Sequence, residues 1–219
     1  AKLFKIAFNI NINLHEKKSN SVYGFYLCKK EIRSFFINIL EFVPGSKTYS
    51  VRVPKIIIKS NNKKIIAAFL RGFLAGDGCL SFDKRYGSSY QKIRTIIHTY
   101  PRIQLRSVSK DIILDISYLL KKMKIEHSFS HEKKEHRCES DSYMVQMSGV
   151  KRLKEWKEKI GFSNPNEKTK YEIFKMYGFL PSFTSIEQRK SILKGELCPW
   201  TFYPCFVKEL KWKNKRKSL

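Results

Sequence analysis

The sequence predicts an α+β protein built on an αββαββα unit. Three observations lead there. PRIQLRS (101–107) alternates Arg102, Gln104 and Arg106 with Ile103 and Leu105, the two-residue period of a half-buried strand. IKSNNKKIIAAFLRGFLAGDG (58–78) has helical spacing instead. Ser60 and Asn61 serve as N-caps there, and Ile65, Ala68, Phe69, Gly72, Phe73 and Gly76 share one broad face. Ser109 caps a second helical pattern, KDIILDISYLLKKM (110–123), directly after the strand.

Taken in order, residues 2–12 and 22–28 alternate as two strands joined by the polar turn LHEKKSNS. KKEIRSFFINILEF (29–42) follows as a helix, stopped by PGS (44–46), and YSVRV (49–53) returns as a strand. After the 58–78 helix come a strand at CLSF (79–82), a long polar connection, the 101–107 strand and the 110–123 helix. Strands near 125–131 and 142–148 and a helix at VKRLKEWKEKI (150–160) complete an αββαββα unit. The first fifty residues show the same order with the opening helix absent, which suggests an internal repeat. The expected organisation is a partial first half at 1–57 without its own motif helix, a full unit at 58–165, and a helical extension with a basic tail at 166–219. GFSNPNEKT (161–169) reads as a linker, with helices near 168–177 and 184–194 beyond it.

Charge points to the partner. Lys and Arg number 44 against 19 Asp and Glu, a net +25 over 219 residues. Solubility is met by a net charge of roughly 2 to 8 on a small domain, so the excess calls for a polyanion. Nucleic acid fits best, because neutralised phosphates release counterions whatever the sequence. Anionic membranes and ribosomal packing are the rivals. A hydrophobic fraction of 42% and an aromatic fraction of 14% fill a real core and exclude a disordered basic tail. No apolar run reaches the ~18 residues of a membrane span, and the start lacks signal-peptide anatomy. A soluble, intracellular protein is expected. The five cysteines are scattered without a CxxC, which argues against a disulfide framework and against structural zinc.

LRGFLAGDG (70–78) carries the chemistry. Gly72 and Gly76, four residues apart on an apolar helix, leave a flat strip on which a second helix can approach closely. Each glycine inside a helix costs about 1 kcal/mol relative to Ala, so some contact should justify them. Asp77 ends the strip, where the free carbonyls already make the helix terminus negative. Carboxylate and carbonyl oxygens together suit a hard divalent cation. A core helix with a glycine cap and an ordinary loop aspartate is the plainer alternative.

LRGFLAGDG resembles the LAGLIDADG motif, with Leu70, Gly72, Leu74, Asp77 and Gly78 in corresponding places and Ala75 at the earlier acidic position. The preceding AAFLRG, IGFSNP (160–165) and EQRKSILKGEL (187–197) also resemble LAGLIDADG homing endonucleases of the archaeal and organellar, intron- or intein-encoded kind. The resemblance is strong over 62–165 and weak before 50. It implies saddle-shaped antiparallel sheets lying in the major groove of double-stranded DNA and reading a long target. It implies two motif helices packed together, here through Phe69, Gly72 and Phe73. It also implies Mg2+, or another divalent cation such as Mn2+, held by Asp77 and the Gly76 carbonyl for phosphodiester hydrolysis. Lys110, at a strand–helix junction, is the candidate for organising the attacking water, or else a solvated first-turn lysine.

Arg102, Gln104 and Arg106 suit base reading, since Arg pairs bidentately with guanine and Gln with adenine. Lys5, Asn9 and Arg52 are weaker members of that set on the expected strands at either end of the opening region. The connection DKRYGSSYQKIRT (83–95), with Lys84, Arg85, Lys92 and Arg94, is expected to follow the DNA backbone. Only one motif is present, while two-strand cleavage needs two metal-binding acids. The second comes from a missing N-terminus or a homodimer partner, or cleavage has been lost. In that last case the protein is a non-cleaving binder or a maturase acting on RNA.

Overall fold

The structure, a computed structural model, describes residues 2–17, 22–42, 44, 48–84, 97–133 and 140–203. The chain divides into two compact units, 1–44 and 45–219.

In the first unit, helix α1 (Lys2–Phe8) precedes a short antiparallel pair, β1 (His15–Lys17) and β2 (Val22–Gly24). Helix α2 (Lys30–Ser34) then runs directly into a π-helical turn at Phe35–Ile39. The strand expected at 2–12 is thus a helix. KLFKIAF is apolar enough to satisfy either period, and short runs of this kind are ambiguous. The helical register wins by placing Phe4 against Phe8, ring centroids 4.6 Å apart, with Phe25 and Phe35 completing the cluster. Asn9, at φ 52, ends the helix with its N–H donating to the Lys5 carbonyl.

The second unit opens with a single turn, α3 (Lys55–Ile58), and the motif helix α4 (Lys63–Asp77). Strands β3 (Gly78–Lys84) and β4 (His98–Ser107), helix α5 (Lys110–Lys122), strands β5 (Ser128–Glu132) and β6 (Ser142–Ser148), and helix α6 (Val150–Lys159) follow. From α4 to α6 this is the expected αββαββα order. The four strands form one antiparallel sheet in the order β3-β4-β6-β5. Each strand alternates its side chains between two faces. Leu80, Phe82, Ile103, Leu105, Val145 and Met147 are buried on one face against Leu70 and Leu74 of α4, Ile113 and Ile116 of α5, and Leu153 and Trp156 of α6. Burying each such side chain contributes roughly 1.5–3 kcal/mol. The opposite face carries no helix from this set.

Two further corrections come from backbone hydrogen bonding. YSVRV does not form a strand. The Val53 N–H donates to Asp115 of α5, and the Val51 carbonyl accepts from the Ser109 hydroxyl at 2.7 Å. Side chains of the α5 region therefore occupy the groups that a strand would spend on a neighbour. GFSNPNEKT is a connection only over 161–164, because α7 (Pro165–Tyr177) begins within it. Asn164 caps that helix by accepting the Asn166 N–H at 2.9 Å, and Pro165 supplies a fixed φ at the first position. Helix α8 (Ile186–Leu193) and a 3-10 turn (Pro199–Phe202) complete the unit. Ile173, Leu180 and Ile192 belong to the same core as the sheet. Among the described residues no helix is long and apolar enough to cross a membrane.

Candidate nucleic-acid interface

The motif divides its glycines by role. Asn62 caps α4 by accepting the Lys64 N–H at 2.9 Å, one residue beyond the caps expected from sequence. The helix then turns Ile66, Ala67, Leu70 and Leu74 into the core. At Gly78 a β-carbon would lie 2.6 Å from Leu74 Cδ1 and 2.8 Å from Leu105 Cδ2, so only glycine lets β3 leave the helix so close to β4. Gly72 and Gly76 differ. A β-carbon at either would meet nothing within 4 Å, and both are exposed. Ile65, exposed and on the same side, and the half-buried rings of Phe69 and Phe73, 6.3 Å apart, extend this bare strip.

Asp77 is the last residue of α4 and is exposed. Among the described residues no ion pair or hydrogen bond occupies its carboxylate. The turn beneath it is braced by the 160–164 segment. Arg71 donates to the Ile160 carbonyl at 2.9 Å, Asn164 to the Ala75 carbonyl at 3.5 Å, and Ser163 to the Arg71 carbonyl at 3.5 Å. The phrase IGFSNP thus acts as a splint for the helix end. As a metal site this end offers one free carboxylate and backbone carbonyls. Among the described residues no group of three or more His, Cys, Asp or Glu stands together. These are oxygen donors of the kind a hard divalent cation takes, and too few to enclose one.

Lys110 is exposed in the first turn of α5, immediately after Ser109, whose hydroxyl caps the helix at the Ile112 N–H. Gly78 pairs in register with Leu105, so the end of α4 and the start of α5 lie toward the same end of the sheet.

The open face is mainly polar at its centre. Arg102, Gln104 and Arg106 share it, as their alternation predicts, and β6 adds Met144, Gln146 and Ser148 in register beside them. Cross-strand pairs hold these side chains still. Arg102 Nε sits 2.8 Å from Asp83 Oδ2, an ion pair without hydrogen-bond alignment. Gln104 donates to Gln146 at 2.8 Å, and Gln146 to Ser148 at 2.8 Å. Arg106 pairs with Glu132 of β5 at 2.9 Å, and Ser142 donates to the same carboxylate oxygen. The acids and the Gln146–Ser148 pair escaped the sequence reading. The alternation of YMVQMS was available for the latter, but the Asp83 and Glu132 contacts depend on register.

Other expected contacts are placed differently. Lys84 ends β3 opposite His98. Lys5 and Asn9 are on α1 and at its end, so they do not stand on a reading strand. Arg52 forks onto Asp115 at 3.0 and 3.2 Å, which raises its basicity and ties 51–53 to α5. Its expected strand is absent. Arg85, Lys92 and Arg94 lie outside the described residues, as does the basic tail. Cys28, Cys79 and Cys198 are free thiols.

Residues 64–161 match the model of the LAGLIDADG-like domain. This segment is a LAGLIDADG-like domain. The matched span runs from the first turn of α4 through α6, which takes in the whole αββαββα unit, and LAGLIDADG domains are typical of nucleases. The chain is also 25% identical, over 196 residues, to the glutamine–fructose-6-phosphate aminotransferase (isomerizing) of Methanocaldococcus jannaschii. That match takes in 88% of this chain and 16% of that protein. The chain therefore spans about a sixth of this relative.

Proposed function

We propose that this chain is the nucleic-acid-binding and half-catalytic part of a site-specific double-stranded DNA endonuclease. The bare strip of α4 carries the reading. Gly72 and Gly76 each destabilise the helix by about 1 kcal/mol relative to Ala, and no contact among the described residues requires them. A second motif helix packed along that strip would justify both. It would also bring a second acid beside Asp77. That helix is supplied by a second copy of the chain or by a segment beyond this sequence.

Asp77 and the Gly76 carbonyl would hold a divalent cation such as Mg2+ or Mn2+, which lowers the pKa of bound water and offsets charge on the phosphoryl oxygens. The 160–164 splint holds the helical turn that carries Asp77. Lys110 adds positive charge on the same side of the sheet, where it would stabilise the negative transition state. Arg102, Gln104 and Arg106 would read base edges in the major groove, with the +25 charge providing non-specific attraction. The aminotransferase activity named for the relative has no part in this reading, since the shared span is a small fraction of that protein.

A non-cleaving binder of DNA or RNA is the second reading, favoured by the single acid among the described motif residues. One experiment separates the two. The protein is incubated with a library of duplex DNA with and without Mg2+, and both strands are scored for cutting. Metal-dependent cutting at one long site is expected. Tight binding with no cutting under either condition would transfer the assignment to the binder.

A further inference from the structure

Helices α7 and α8 line, against β3, an open cavity of about 580 Å3 that the proposed nuclease chemistry does not use. Its lining contains two cations and no Asp or Glu. Arg189 is only 5% exposed, and its guanidinium donates to four neutral oxygens: Thr169 Oγ1 at 3.0 Å, the Thr184 carbonyl, Thr184 Oγ1 at 3.4 Å and Asn166 Oδ1. Among the described residues no carboxylate forms an ion pair with it. Burial weakens its basicity, and Glu167 and Glu187 oppose that shift from longer range. Lys170 lies beside it in the lining and donates to the Leu80 carbonyl at 2.8 Å. Cations satisfied by neutral acceptors keep their charge and favour an anion in the space they face.

Phe183 belongs to the same lining and has two unusual properties. Its φ is +56, the left-handed region that a bulky residue enters at a cost of about 1–3 kcal/mol. Its side chain is fully exposed, at 103%, so no burial offsets that strain. Strain of this kind clusters at ligand clamps and other binding sites. An aromatic ring held in solvent beside a cationic cavity is the pairing found where unpaired bases stack and phosphates are neutralised. Ser81, also in the lining, is the register partner of Arg102, so the cavity adjoins the open sheet face.

We propose that this cavity takes one unpaired nucleotide of a strand bound on that face, its phosphate toward Arg189 and Lys170 and its base against Phe183. The proposal rests on the nucleic-acid-binding reading. It adds single-strand recognition to it, through the helices that follow the matched domain.

The test uses fluorescence anisotropy of the full chain with two labelled probes, a single-stranded oligodeoxynucleotide and the blunt duplex of the same sequence. Phe183→Gly removes the ring and also relieves the left-handed backbone, so the variant should melt no lower than the parent. Its affinity for the single strand should fall about tenfold, the size of a lost base–aromatic stack, while its duplex affinity stays unchanged. Phe183→Trp should restore single-strand binding. Lys170→Met should reduce the salt dependence of single-strand binding by about one phosphate contact. Equal single-strand binding by Phe183→Gly and parent overturns the proposal, and so does a parallel loss on both probes. Displacement of the oligonucleotide by equimolar dAMP would identify a free-nucleotide site and overturn the strand assignment. Arg106→Ala separates the two levels. If it weakens duplex binding while the Phe183 variants are inert, the cavity proposal fails and the DNA reading stands. If the parent binds neither probe, both fail.

Discussion

On one side of α4, Ile66, Ala67, Leu70 and Leu74 are all buried against the sheet and α5. On the other, Ile65 is 48% exposed, and Gly72 and Gly76 would accept a β-carbon without touching anything. Fifteen consecutive residues thus serve two requirements. The first side holds the domain together, and its residues are chosen for volume. The second is kept flat at a cost in helix stability, and its residues are chosen for the absence of side chains. The packed and the bare requirement are thus met on nearly opposite sides of one helix.

The most severe loss is expected at the end of the bare side. Asp77→Asn should abolish metal-dependent cleavage while leaving DNA affinity and thermal stability nearly unchanged, since no described residue bonds its carboxylate. Cleavage, binding and melting measured together decide this, and joint loss of all three would make Asp77 structural. Leu70→Ala, on the buried side, should lower stability by about 2–5 kcal/mol through a cavity in a packed core. Denaturant melts read that change, and a loss under about 1 kcal/mol would mean that α4 is not anchored as described.

Substitutions at Gly72 sharpen the contrast further. Gly72→Ala should stabilise the isolated chain by about 1 kcal/mol through helix propensity. Gly72→Leu should fold equally well yet prevent pairing of motif helices, seen by sedimentation of the active species as loss of assembly and cutting together. Unchanged assembly would place the partner surface elsewhere. The smallest effect lies away from α4 and serves as a control. Burial, followed by the nearby Lys84 charge, holds the His98 pKa below 6.5. The fold therefore favours the neutral ring. This contribution is present above pH 6.5 and fades as the pH falls below it toward the folded-state value. His98→Gln should flatten that acid-side slope in melting experiments and leave the neutral-pH melt near that of the parent.

Much of the second unit was legible in the sequence because its signals are redundant. The 101–107 strand has a clean alternation, α5 has both Ser109 and an apolar stripe, and the motif names its own helix. The first fifty or so residues of the chain were not legible to the same degree. KLFKIAF, in the first unit, and YSVRV, at the start of the second, are short apolar runs whose period is ambiguous, and their outcomes were set by distant groups such as Phe25 and Asp115. At the site, Asp77, Gly72 and the three residues of β4 could be named from spacing. Their partners could not. Glu132 meets Arg106 because β5 and β6 bring residues 26 apart in the chain to neighbouring positions, and no local pattern announces that register. The reason Gly78 cannot change while Gly72 can is likewise visible only once Leu105 is in place.

The Lys170–Leu80 hydrogen bond has a consequence for self-association. β3 and β5 are the outermost strands of the sheet, and an outermost strand offers unpaired backbone groups to any passing chain. At β3, α7 fills that position and spends a lysine on the exposed carbonyl, so a pairing strand would have to displace a charge before gaining its first hydrogen bond. β5, with all five residues exposed, has no such helix against it among the described residues. The two borders of the sheet are therefore unequally guarded, and edge-to-edge sheet growth in this protein would start from Ser128–Glu132.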